Sequence, residues 1–360
     1  PQVAGGHQRD RTTLGAVGTA QIQSLSSAQV QSLNESQLKG LKAEQLNAMD
    51  TADVAAMSTT QISQLKPDQL SKLSTSQLQA LSTAQMQALS GAQVRSLTSS
   101  QVASLSTTQL QALTTAQAAV LSDAQLNALS TAKIASLEAA DLAAVSATTI
   151  SALSTTQVKA LSSSQVTSLA ANQVRALSAN QLNALDTADL AAMGTAQIVK
   201  LSAEQVAGLS TSQLQALSNT QVSALEGRQV KGLTTGQMAN LTTGQVQALT
   251  ADQFKQLTAT QLNALTTTQV AAIETADIAA MSAAAAGGLS TQFVSALTST
   301  QVQALDKTQL GGMTSKQIQA IETADLAKMS TAQLAQLRAD QVGQLTTSQL
   351  NNLTSTQLQS

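Results

Sequence analysis

The sequence has no cysteine, tryptophan or tyrosine, and Phe254 and Phe293 are the only aromatic residues among 360. The missing thiols exclude disulfide frameworks, thiolate nucleophiles and cysteine-ligated metals. Aromatic side chains supply much of the volume of a three-dimensional core, so a chain without them is expected to bury a thin, uniform aliphatic seam. Charge is also scarce. Charged residues make up 11% of the chain and the formal net charge is -2, which argues against nucleic acid and an anionic membrane surface as partners. No stretch reaches about 18 consecutive apolar residues, so membrane insertion is not expected. The chain opens at Pro1 rather than on a signal peptide, which suggests a processing boundary. Its last unit stops just short of the next apolar landmark, which suggests that the native array continues.

What the sequence has instead is repetition. An eight-residue unit, typified by Leu81-Ser82-Thr83-Ala84-Gln85-Met86-Gln87-Ala88, runs without insertion or deletion from Val17 to the end. Position 1 of the unit is Leu, Met, Ile or Val in all 43 copies, and position 5 is Gln in 34 of the 43. Position 6 is apolar throughout, reduced to alanine only at Ala118 and Ala286. Position 2 is mostly Ser, Thr, Asp, Glu or Asn.

One continuous helix cannot keep this phase, because eight residues at about 100° each would turn the seam by about 80° per unit. The helix must therefore break in every octad. Ser/Thr-x-x-Gln, as in Ser74-Thr75-Ser76-Gln77, is a capping box, and Pro67 falls at the first helical position, where proline is best tolerated. Burying two aliphatic side chains per unit contributes about 3 to 6 kcal/mol, whereas ordering eight backbone residues costs about 8 to 16 kcal/mol. Neighbouring units must supply the remainder, as in a solenoid. The expectation is an all-α superhelix with one very short helix per octad; a β-solenoid with a glutamine ladder is the alternative, given the frequent Val and Thr and the Gln in register.

Residues 1–16 form a non-repetitive leader and 17–360 a continuous array. A longer period of 136 residues is superimposed on the octad, giving blocks 49–184 and 185–320 and a partial block 321–360. Acidic units punctuate the blocks at Asp50/Asp53, Glu138/Asp141, Asp186/Asp189, Glu274/Asp277 and Glu322/Asp325. They alternate at 11 and 6 octads, which would place them on one side of a superhelix of about six octads per turn. Two carboxylates three residues apart are candidates for a divalent cation, with Asp50, Asp53, Asp186, Asp189, Glu274 and Asp277 the first choices; their structural role would be to complement helix N-termini. The Gln column could face a ligand, but its place in a capping box makes it structural.

No metal or cofactor is otherwise called for, and no catalytic residue. His7, the single imidazole, lies in the leader, so no histidine within the array activates its abundant hydroxyls. The stretch Ser282-Ala283-Ala284-Ala285-Ala286-Gly287-Gly288 replaces both Gln and the second landmark with alanine. It reads as a decayed unit or hinge, with a pocket as the alternative.

The units Leu-Ser-Thr-Ala-Gln-Met-Gln-Ala-Leu and Leu-Thr-Thr-Ala-Gln-Ala resemble the tandem "LSTAQ" arrays of very large bacterial surface and secreted proteins, labelled adhesin-like, haemagglutinin-like or haem-utilisation proteins. The resemblance implies an extracellular or cell-surface stalk. Haem is not expected, because the array lacks His, Cys and Tyr and its Met residues sit at core landmarks. Leu-Thr-x-x-Gln-Val also looks like the opening of the repeats in plant-pathogen DNA-binding effectors, but an octad has no room for their base-reading loop. The functional expectation is a non-enzymatic, elongated extracellular fibre, filament or adhesin stalk that associates with itself or meets a host or environmental surface. A binding module for a peptide, glycan or surface is the alternative.

Overall fold

The computed structural model describes residues 14–359. The leader call of 1–16 therefore lies largely outside the described residues, as does His7. Among the described residues there are 43 helices of four to six residues and no strand, so the all-α expectation holds and the β-solenoid does not. The chain divides into two compact units, residues 1–177 and 178–360.

Each helix opens at position 3 of its octad, behind an extended N-cap at position 2. In the Thr75–Gln79 helix the Ser74 hydroxyl accepts from the Gln77 amide at 3.2 Å, and Gln77 Oε1 accepts from the Ser74 amide at 2.9 Å. That is the reciprocal box the sequence pattern predicts. Where the cap residue is Ala170 or Gly194, Gln still accepts from the cap amide, at 2.7 and 2.9 Å. The glutamine half of the box is therefore the more constant one.

The helix ends without a left-handed glycine. In each regular unit the amide of the next position 1 bonds back three residues, as from Leu81 to the Leu78 carbonyl at 3.2 Å, and position 1 then turns extended, as at Leu65 with φ -61 and ψ 142. No described residue has positive φ. One or two extended residues redirect the chain, and any L-residue adopts that conformation, which is why so regular an array manages with little glycine or proline.

From Ile22 to Leu334 positions 1 and 6 are buried: Leu110 and Val158 are 0% exposed, Leu105 1%. They stand at N′ and N4 of each helix, the spacing of a hydrophobic staple. Helices pack against the helix three octads further on within their unit, as Thr51–Ala56 does on Thr75–Gln79. Polar contacts between successive turns span 25 to 31 residues. A turn therefore closes in between three and four octads, not the six that the acidic spacing suggested: small side chains at position 8 let consecutive turns approach closely, and so narrow a seam leaves no space inside a wider coil.

The alanine-rich stretch is no break. Ala283–Gly287 is a helix capped by the Ser282 hydroxyl, which accepts from the Ala285 amide at 3.1 Å. It lies backbone to backbone on the Lys307–Gly312 helix, so close that a Cβ at Gly287 would stand 2.6 Å from the Gly312 carbonyl oxygen.

Candidate functional site

The chemistry of the fold is concentrated at position 5. Position 1 lies between two helices, so its carbonyl has no intrahelical donor, and a buried carbonyl without one is costly. The Gln of an octad one turn later supplies it. Gln93 Nε2 donates to the carbonyls of Ile62 at 3.0 Å, Ser63 at 3.3 Å and Leu65 at 2.7 Å, while its Oε1 accepts from the Ser90 amide at 2.7 Å. The arrangement recurs in the second unit at Gln245, which reaches Leu214, Gln215 and Leu217. One carboxamide thus starts its own helix and ties that helix to the carbonyls 28 to 31 residues earlier. From Gln45 to Gln317 these residues are 0 to 6% exposed, so that part of the Gln column presents no face to a ligand.

The sequence pointed to the capping half of this role. The clamp was not legible, because nothing local says that a residue 31 positions away lies alongside.

The acidic pairs separate into two environments. Asp50, Glu138, Asp186, Glu274 and Glu322 are exposed at the N-cap and make no side-chain capping bond. Asp53, Asp141, Asp189, Asp277 and Asp325 stand where Gln usually does and are 3 to 9% exposed. The helix-complementing role expected of the N-cap acids is therefore not performed through cap hydrogen bonds. The buried carboxylates draw instead on a hydroxyl 26 residues earlier: Ser27 Oγ donates to Asp53 Oδ1 at 2.6 Å, and Ser299 Oγ donates to Asp325 Oδ1. Thr115 serves Asp141 in the same register. Ser and Thr are so common at position 3 that this pairing leaves hardly any trace in sequence. At Asp277 the register offers Ala251 instead, on a helix that packs against its own. Oδ2 of Asp277 and of Asp141 has no hydrogen-bond partner. Among the described residues no group of three or more acidic, histidine or cysteine side chains gathers around any pair.

A cleft of about 320 Å³ opens beside the alanine-rich helix, lined by Lys231, Lys255, Leu257, Thr258, Ser282 and Ala285 among others. The pocket alternative for this stretch thus has a physical counterpart.

The ALTTAQ repeat matches residues 35–67, 70–107, 134–171, 182–219, 211–243, 222–259, 270–307 and 318–355. The chain belongs to the ALTTAQ repeat family. Six of the matched ALTTAQ segments begin at position 6 of an octad and two at position 3, so family and structure share one phase. No curated protein matches the chain.

In this ALTTAQ array the acidic octads differ electrostatically. Burial pushes the Asp277 carboxyl up to about 6, with the neighbouring Glu274 charge adding to the effect. Burial also raises Asp141, where the Thr115 hydroxyl works in the opposite direction and Glu138 adds to the rise. A carboxyl whose folded value exceeds its unfolded value binds protons preferentially in the folded state. The stability associated with protonated Asp277 is thus fully present below its ordinary value of 3.8 and is lost as pH rises through about 6. The expected loss is about 1 to 2 kcal/mol, less than the whole shift implies because exposed Glu274 is screened by solvent. Ala251→Ser, which restores the hydroxyl found opposite Asp53 and Asp325, is expected to bring the carboxyl back toward the usual range. Titrating the Asp277 carboxyl carbon by NMR checks this, and a wild-type midpoint near 4 would contradict it.

Proposed function

We propose that the chain is a structural shaft: a non-enzymatic array that serves outside the cell as part of a fibre, filament or adhesin stalk and associates with its own kind. The observation that carries this reading is the glutamine clamp. Within each unit most octads repeat the same buried triad of positions 5, 6 and 1, and the carboxamide fastens one turn to the turn before it, so added octads lengthen the array without changing its section. Stability then comes from neighbouring turns, the arrangement suited to a spacer of variable length. Low charge and the absence of histidine from the array support a mechanical rather than a chemical role.

Negative-stain images of the 360-residue chain test the proposal. Rods of uniform width are expected, lengthening by about 8 to 10 Å for every turn added to the array, the spacing of packed helices. Compact particles whose diameter grows in all directions would sink it.

A further inference from the structure

Nine octads lack Gln at position 5, and in eight of them a side chain larger than alanine takes the place: Asp in five, Lys133, Thr149 and Phe293. Lys133 Nζ even reproduces the clamp by reaching the Ala103 carbonyl, and the Phe293 ring is 2% exposed. Ala285 alone leaves the place open. In both flanking turns the clamp is present: Gln253 Nε2 donates to Leu225 at 2.6 Å, and Gln317 Nε2 to Leu289 at 2.7 Å. At Ala285 the two ends of the missing clamp remain. The Leu257 carbonyl, 28 residues earlier, accepts no hydrogen bond among the described residues, and the Ser282 amide has no Oε1 to donate to. Between them lies the cleft of about 320 Å³. Lys231 and Lys255 stand exposed on its wall, and neither makes a salt bridge among the described residues.

We propose that this cleft binds a small carboxylic acid bearing a primary carboxamide, of the kind a glutamine or asparagine side chain presents beside a carboxylate. The carboxamide NH2 donates to the Leu257 carbonyl and its oxygen accepts from the Ser282 amide, reproducing the contacts that glutamine makes in the neighbouring octads. The carboxylate then faces Lys231 and Lys255, where two unpaired ammonium groups favour an anion and disfavour a neutral amide. Both halves of the ligand are needed. The amide without the charge meets competing water, and the charge without the amide leaves the carbonyl and the amide unmatched.

The probe is succinamate, titrated into the full chain by calorimetry with succinate as the control lacking the amide. Saturable succinamate binding is expected, with succinate weaker by about tenfold or more, a difference of about 1.4 kcal/mol. Ala285→Gln places the chain's own carboxamide in the gap, so this variant is expected to melt at a higher temperature than wild type and to lose succinamate binding. Absence of saturable binding, equal affinity for succinate, or unchanged binding to Ala285→Gln would each overturn the proposal.

Discussion

Gln109→Glu is expected to destabilise its turn by about 3 to 5 kcal/mol, more than Gln109→Ala does, although Glu is the closest isostere of Gln. The wild-type carboxamide uses both its atoms: Oε1 accepts from the Ser106 amide at 3.0 Å, and Nε2 donates to the carbonyls of Leu78 at 2.8 Å, Gln79 at 3.3 Å and Leu81 at 2.8 Å. A carboxylate keeps the first contact but turns an acceptor oxygen, carrying charge, toward three carbonyl oxygens in a site only 3% exposed. Alanine forfeits the bonds without adding repulsion, so about 2 to 4 kcal/mol is expected for it. The Glu variant should recover as pH falls, because a protonated carboxyl regains a donor and its folded pKa lies above the unfolded one. Hydrogen exchange around residues 78–81 and 106–113 reads the effect. Glu tolerated better than Ala at neutral pH would show that the carboxamide is not a clamp.

Leu105→Asp carries the other large effect. Leu105 is a position 1 landmark at 1% exposure, and an ionised carboxylate there has no partner, so a local cost of about 4 kcal/mol or more is expected. Each helix depends on the turns directly before and after it, which keeps the damage near the substitution. Limited proteolysis should open a new cleavage point near residue 105 while the octads around 161–169 stay protected. Gln111→Ala is the control: Gln111 is an exposed position 7, and its replacement should change stability by less than about 0.5 kcal/mol. If Leu105→Asp is tolerated as well as Gln111→Ala, the phase of the octad is wrong and the core with it.

The alanine-rich unit shows where local reading stops. Its sequence, short of both Gln and a branched landmark, reads as a hinge, yet Ala283–Gly287 is helical because the Ser282 cap survives and Ala favours helix. Its distinctive features, the glycine contact with Gly312 and the vacant clamp facing Leu257, depend on residues 25 and 28 positions away. The acidic units repeat the lesson. Their regular spacing was plain in sequence, but that one carboxylate of each pair is buried and the other exposed is decided by the turn lying against it.

By itself the sequence determined the octad phase, a helix starting at position 3 behind its cap, and the burial of positions 1 and 6. These are legible because caps, propensities and apolar spacing act within one octad. Only the tertiary structure decided the number of octads per turn, the second bond set of each Gln, the hydroxyl partners of Asp53 and Asp325, and the isolation of Asp277. Each of those joins residues some 25 to 31 positions apart through the close stacking of turns. An octad that is nearly the same everywhere holds no record of which of its copies it will touch.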